Sequence, residues 1–213
     1  MSLPEAAKAF SRVALQYDRW YEGNPLFESE VLAVRALGEL AFPQLEVGVG
    51  TGQFARALNL SFGLDPSFEM LCLAKEKGLK VVCGLAERLP FRDQSLGSLL
   101  FLFTFCFLEH PEQALEEAHR VLRREGQLVI GFINRDSPWG QWYQEKAASG
   151  HPLYRLARFR NFSEIKELAE EKGFRWLKGV STLRQLPQET PRVEEPKDGV
   201  VEGAGFIVCL FVR

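Results

Sequence analysis

Cysteine is sparse in this chain. Cys72, Cys83, Cys106 and Cys209 are scattered, with no C-x-x-C pair and no zinc-like spacing. That argues against a disulfide framework or a cysteine zinc site as the organising device. Three of the four lie in apolar runs, where cysteine acts as a small hydrophobe, so the set reads as reduced thiols. An excess of charge of one sign is also missing. The net charge of −2 and a pI near 6.0 give no electrostatic reason to expect nucleic acid or an anionic membrane as partner. Long hydrophobic runs are lacking too. The longest uncharged, largely apolar one, Leu96 to Leu108, is too short for a bilayer span of about 20 residues. The opening MSLPEAAKAFSR has no apolar leader core, so the expected location is cytoplasmic. No internal repeat is visible.

What is present is ordinary globular composition: 213 residues, 46% hydrophobic and 25% charged. A single core of this size is common, so one domain over 1–213 is expected. Phe10, Val13, Tyr17, Trp20 and Tyr21 recur at helical spacing and predict an amphipathic helix over about 4–22, stopped by Gly23-Asn24-Pro25. A second helix is expected near 26–39, with Leu26, Val31, Val34 and Leu37 inward. Strands then alternate with helices. Seven are expected, at 44–48, 61–64, 80–83, 98–104, 127–133, 175–182 and 205–212. Between them a short helix spans 52–59, and Ser67 caps a helix closed by Gly78. Pro111 opens a helix ended by Gly126, and Ser163 caps one ended by Gly173. The pattern loosens after 134, through Trp139, Trp142 and Tyr143. Strand–helix alternation with short turns means a parallel sheet, and strands apolar throughout mean that both faces are covered. The expected fold is a doubly wound, mostly parallel α/β sheet with helices on both faces.

The most informative stretch is LEVGVGTGQFA at 45–55. Gly48, Gly50 and Gly52 follow Glu46 at alternate positions, between the first strand and a helix. In open α/β sheets ligands lie at the carboxyl ends of strands. Glycine lets the backbone turn sharply and lets a ligand press against it. One glycine would serve a bare turn; three point to a ligand. No Gly-Lys-Ser/Thr follows, so this is not a phosphate loop. The dinucleotide pattern G-x-G-x-x-G fails, because its sixth position is Gln53. A carboxylate such as Glu46 would repel a pyrophosphate. It suits a cationic ligand with an amino group.

With these residues the chain resembles the class I S-adenosylmethionine-dependent methyltransferases of small-molecule type, methyltransferase domain 11. Glu46 to Gly52 matches their first motif, an acidic residue followed by x-Gly-x-Gly-x-Gly. Asp65 in GLDPS matches the acidic residue ending their second strand. GLAERLPFRDQSLGSLL is similar to their adenine-clasping loop, and ALEEAHRVLRREGQLVIG to their later helix and strand, through Glu117, Arg120 and Gly126 among others. VALQYDRWY is similar to their lid helix, with Tyr17 and Asp18 in the Y-D positions. There are departures. Leu85 stands where the family has an adenine-contacting Asp, and Glu87 is the candidate replacement. Leu96-Gly97 and Arg124-Glu125 replace a Phe-Asp and a Pro-Gly.

The resemblance implies a Rossmann-like sheet whose last strand is antiparallel. Lid helices would occupy 1–40, a cofactor-binding core 41–133, and a variable substrate-side segment with closing strands 134–213. It implies S-adenosyl-L-methionine as cofactor, no metal, and methyl transfer to a small molecule. The implied cofactor-binding residues are Tyr17, Glu46, Gly48, Val49, Gly50, Gly52, Asp65, Pro66, Leu85, Ala86, Glu87, Phe103 and Thr104. The three glycines would admit the methionine moiety and ribose, with Glu46 near its amino group. Asp65 would accept from the ribose diol. Ala86 would donate its N–H to adenine between the apolar walls Leu85 and Phe91. Phe103 and Thr104 would flank the sulfur. Methyl transfer is an in-line displacement that depends mainly on alignment, so no catalytic base is assigned. His110 reads as a helix-start or surface residue and His119 as structural. His151 is a candidate pocket residue, and Cys106 reads as a buried bystander. Trp20, Tyr21, Trp139, Trp142 and Tyr143 flank the expected mouth and could form an apolar pocket or pack the lid. Two rival readings stand: a non-catalytic protein that binds the same cofactor, and a nicotinamide-dependent oxidoreductase.

Overall fold

A computed structural model describes residues 3–213. Its elements in chain order are helices α1 (Glu5–Arg12), α2 (Ala14–Trp20) and α3 (Pro25–Arg35), strand β1 (Gln44–Val47), α4 (Gln53–Ala57), β2 (Phe62–Asp65), α5 (Phe68–Glu76), β3 (Val81–Cys83) and β4 (Leu96–Leu102). There follow α6 (Pro111–Val121), β5 (Leu122–Ile133), α7 (Pro138–Ala148), α8 (Phe162–Glu171), β6 (Arg175–Thr182), β7 (Lys197–Asp198) and β8 (Phe206–Val212). One eight-stranded sheet has the order β3-β2-β1-β4-β5-β8-β6-β7. The first five strands are parallel, and β8 runs antiparallel between β5 and β6.

The two faces of the sheet follow from the two-residue period of its strands. In β4, Leu99 and Phe101 pack with Leu115 and Ala118 of α6 and Ile165 of α8. Leu100 and Leu102 point the other way, to Val31 and Val34 of α3 and Phe54 of α4. β8 alternates likewise, with Ile207, Cys209 and Phe211 on one face and Phe206, Val208 and Leu210 on the other. β4 and β8 are buried at every position, which is why they read as continuous apolar runs. Strand order reverses between β1 and β4, so the carboxyl ends of those two strands open a crevice at the switch point.

The structure departs from the sequence reading at several ends. The 4–22 helix is two helices broken at Val13, which takes φ −119°. The apolar period continues across this single non-helical residue, so the pattern does not register it. The second helix runs from Pro25 to Arg35, capped by Asn24, whose side chain accepts from the Leu26 N–H at 3.0 Å. α6 stops at Val121, not Gly126, because Leu122 pairs with Leu96 and draws the chain into the sheet. The register then shifts before Ser98 meets Gln127, and the charged segment 123–125 lies exposed. α8 is capped by Asn161, not Ser163. Asn161 and Glu164 form a reciprocal capping box that outcompetes the serine two residues on. The aromatic segment after 134 is a helix, α7, capped by Ser137. The eighth strand, β7, is two residues pairing with β6 inside the polar loop. Among the described residues no helix is long and apolar enough to cross a membrane.

Candidate active site

The crevice holds a cavity of about 1510 Å³, counting space open to solvent. Its floor is the glycine turn. Gly48 N–H and Val49 N–H donate to the Leu64 carbonyl at 2.7 and 3.0 Å, which ties the turn to β2. Gly48 has φ +75°, and a Cβ there would sit 2.2 Å from the Thr104 hydroxyl. Gly50 has φ +54° and faces open space, with only the Tyr17 ring 3.8 Å from where a Cβ would be. Gly52 does not reach the cavity. A Cβ there would meet Leu79 and Ala74 under α5, so its smallness serves helix packing.

Asp65, at the end of β2, is 8% exposed and lines the cavity. Its carboxylate accepts from the Gly50 N–H at 2.9 Å and the Ser67 N–H at 2.8 Å. Burial raises its pKa to about 6 although both bonds pull it down. Glu46 lies beneath the turn, in a smaller recess shared with Tyr17, Gly48, Val49 and Gly50. It is 2% exposed, and burial pushes its pKa well above the usual range, outweighing the Ala55 N–H. Its Oε2 has no hydrogen-bond partner among the described residues.

Tyr17, Pro66, Leu85, Ala86, Glu87, Phe103 and Thr104 also line the main cavity, as the sequence suggested. The Ala86 N–H has no protein acceptor among the described residues. Phe91 does not line it, but packs on the core beneath the 84–94 loop. A clamp on α6 shapes that loop. Glu117 accepts the Leu89 N–H at 2.7 Å, while Arg120 donates to Leu89 O and Phe91 O, both at 2.9 Å, and to Asp93. Glu117 also accepts from the Arg120 Nε at 2.6 Å, and these bonds hold its pKa low. Phe103 closes β4 with φ +59°, a conformation rare for a bulky residue, and is held by stacking on Phe206 at 4.9 Å.

The roof is α1 and α2. Asp18 is anchored by Lys77 and by Gln53 Nε2 at 2.6 Å, and Lys77 also donates to the Thr51 carbonyl. Tyr17 and Tyr21 share a hydrogen bond between their hydroxyls. Trp20, Tyr21, Trp139 and Tyr143 line the cavity, but Trp142 does not and carries Lys146 over its ring at 3.5 Å. His151 lies outside it too. Its Nδ1 accepts from the Leu153 and Tyr154 N–H groups and its ring stacks on Tyr154, so it positions that tyrosine. His119 receives Arg213 and packs on Phe174. His110 is the exposed N-cap residue of α6. Cys106 lines the cavity, but burial pushes its thiol up to about 12, so it is neutral. Sequence reasoning missed Glu30, Phe27, Tyr154 and Phe159. For Glu30 a signal existed: it falls on the apolar stripe of α3, one turn after Phe27 and four residues before Val34.

Residues 45–130 match the Methyltransferase domain family. An uncharacterized protein of Mycobacterium tuberculosis is 42% identical over 207 residues, covering 95% of this chain and 73% of the relative. An uncharacterized protein of Methanocaldococcus jannaschii is 37% identical, covering 93% and 95%. Among solved structures, an S-adenosylmethionine-dependent methyltransferase of Thermotoga maritima, described as a possible histamine N-methyltransferase, superposes with a TM-score of 0.91. It is 36% identical, over 97% of this chain and 99% of that one. The chain belongs to the class I S-adenosylmethionine-dependent methyltransferases. It is an enzyme of that class, with S-adenosyl-L-methionine as its cofactor. The residues present fit that cofactor: a buried carboxylate lacking a partner, a side-chain-free backbone wall at Gly50, and a second acid facing the cavity.

Proposed function

We propose that this enzyme methylates a small molecule held in the aromatic half of the cavity. The supporting observation is that the glycine turn, Asp65 and Phe103 share one continuous cavity with Tyr21, Trp139 and Tyr143, roofed by α1 and α2. Bound at the turn, S-adenosylmethionine supplies an electrophilic sulfonium methyl.

The chain's residues do the positioning. Asp65 uses one lone pair of each oxygen for Gly50 and Ser67, which leaves one on each for the ribose diol. Glu46 offers its orphaned oxygen to the amino group, directly or through water. Ala86 donates its free N–H to adenine, with Leu85 as the apolar wall and Glu87 beside it. Gly48, Val49, Gly50 and Pro66 bring the backbone close, and Tyr17 covers it. Phe103 and Thr104 border the reacting centre, where the acceptor must lie about 3 Å from the methyl and in line with the departing sulfur.

Two measurements test this reading. Calorimetry is expected to show S-adenosylhomocysteine binding, weakened at least about tenfold by Asp65→Ala, the loss of two charge-assisted hydrogen bonds. Labelled methyl donor with a metabolite extract is expected to label a low-mass product. Label appearing only in protein or nucleic acid would refute the small-molecule acceptor.

A further inference from the structure

The acidic groups of this cavity are unbalanced. Its charged lining residues are Glu30, Asp65, Glu87 and Glu109, and no Lys, Arg or His lines it among the described residues. Asp65 and Glu87 sit beside the glycine turn and the 84–94 loop. Glu30 sits elsewhere, on α3. It is 9% exposed, and no hydrogen bond or ion pair reaches its carboxyl among the described residues. A buried ionisable group without a partner is costly unless something supplies one.

Glu30 shares the cavity lining with four phenols, Tyr17 and Tyr21 at the end of α2, Tyr143 of α7 and Tyr154 in the turn after α7. Those rings hold one another edge-on, Tyr17 with Tyr21 at 5.2 Å and Tyr143 with Tyr154 at 4.7 Å. α3 is also pinned, because the fully buried Ser29 hydroxyl accepts the Glu194 N–H at 2.9 Å. The carboxyl is therefore presented by a pinned helix to a cavity lined by mutually packed aromatic rings, an arrangement that favours an organic cation. The cofactor's amino group already has a candidate partner in Glu46, which lines the smaller recess under the turn, a recess that shares Tyr17 and Tyr21 with the main cavity. Glu30 is absent from that recess.

We propose that Glu30, together with Tyr17, Tyr21, Tyr143 and Tyr154 of the same cavity lining, is the recognition site for a protonated amine carried by the methyl acceptor. This rests on the methyltransferase reading and adds the acceptor's chemical class: an ammonium group on an apolar body. Glu30 acts here as a specificity-determining residue. A carboxylate with hydrogen-bonding phenols favours an N–H-bearing ammonium over a neutral hydroxyl.

The test uses full-length protein saturated with S-adenosylhomocysteine and titrated with 2-phenylethylamine or its neutral counterpart 2-phenylethanol. Wild type is expected to prefer the amine by about tenfold or more, the scale of a buried charge pair. Glu30→Gln, which keeps the shape, is expected to abolish that preference while S-adenosylhomocysteine affinity stays within about twofold. The exposed Glu28→Gln on the same helix is the control and should keep the preference. Thermal melting checks that both variants fold, and Glu30→Asp gives a second variant that retains the charge and part of the preference. No amine preference in wild type, or one unchanged in Glu30→Gln, overturns the proposal. Loss of S-adenosylhomocysteine binding in folded Glu30→Gln also overturns it, by assigning the residue to the cofactor. Failure of wild type to bind S-adenosylhomocysteine would instead sink the methyltransferase reading beneath it.

Discussion

Gly48 and Gly50 lie two residues apart in one turn, yet replacing them should have opposite signatures. Gly48→Ala places a methyl 2.2 Å from the Thr104 hydroxyl at φ +75°. It is expected to lower unfolding free energy by about 2–3 kcal/mol in a denaturant titration. Gly50→Ala meets only an ordinary contact with Tyr17, so its cost should stay near 1 kcal/mol, the left-handed strain. Its main effect should be on S-adenosylhomocysteine affinity, weakened more than about tenfold because the methyl enters the cavity. Asp65 predicts a pH dependence. Its pKa in the empty protein is raised, from 3.8 to about 6. The stability it contributes is therefore complete below pH 3.8 and lost as pH rises through about 6. Binding that uses the ionised acid runs the other way. The rise in Tm produced by S-adenosylhomocysteine should shrink as pH falls below about 6, and Asp65→Asn should flatten that dependence.

At the level of elements, two side-chain clamps hold pieces of the chain over the site. Asp18 ties α2 to α4 and α5 through Gln53 and Lys77. Burial works against its charge, but the bonds from Lys77 and Gln53 prevail and keep its pKa low. Asp18→Ala is expected to speed hydrogen exchange in α1 and α2 and to raise the KM for S-adenosylmethionine with a smaller effect on Tm, since the roof is freed while the sheet stays intact. Arg120 binds the 84–94 loop through the Leu89 and Phe91 carbonyls and the Asp93 carboxylate, and is itself held by Glu117 of the same helix. Arg120→Lys should lose about 1–2 kcal/mol of stability and weaken nucleoside binding, because an ammonium cannot span the planar fork. The sequence displayed Glu117 and Arg120 as part of a family pattern. Their job as a loop clamp emerges only when α6 lies beside the 84–94 loop. Helix ends were the least legible feature. Asn161 won over Ser163 through its reciprocal bond with Glu164, and Val121 ended α6 because strand pairing claimed Leu122.

Across the whole molecule, the carboxyl end of β4 is braced from the far end of the chain. Phe103 keeps its left-handed backbone while stacked on Phe206 of β8, whose ring also lies against Gly131. Phe206→Ala is expected to cost about 3–5 kcal/mol in a denaturant titration. It should also lower kcat, since the empty space lets Phe103 relax; an unchanged kcat would disconnect the β8 brace from the chemistry.

The sequence by itself determined what is local and periodic. Apolar runs and their spacing specified a covered parallel sheet, and Glu46 with the glycine turn pointed to a cationic ligand at its switch point, which the resemblance carried by that turn and Asp65 implied to be S-adenosylmethionine. Those residues are adjacent in the chain or stand at fixed strand ends, so pattern suffices. Tertiary structure decided what depends on packing between distant segments. It removed Gly52 from the cavity wall by setting it under Leu79, and it took Phe91 and Trp142 out of the cavity. It brought Glu30 into one cavity with tyrosines from three separate segments. Which face of a helix meets a ligand and which meets the core is set by the elements packed around it, and residues more than a hundred positions apart in one cavity share no local pattern to read.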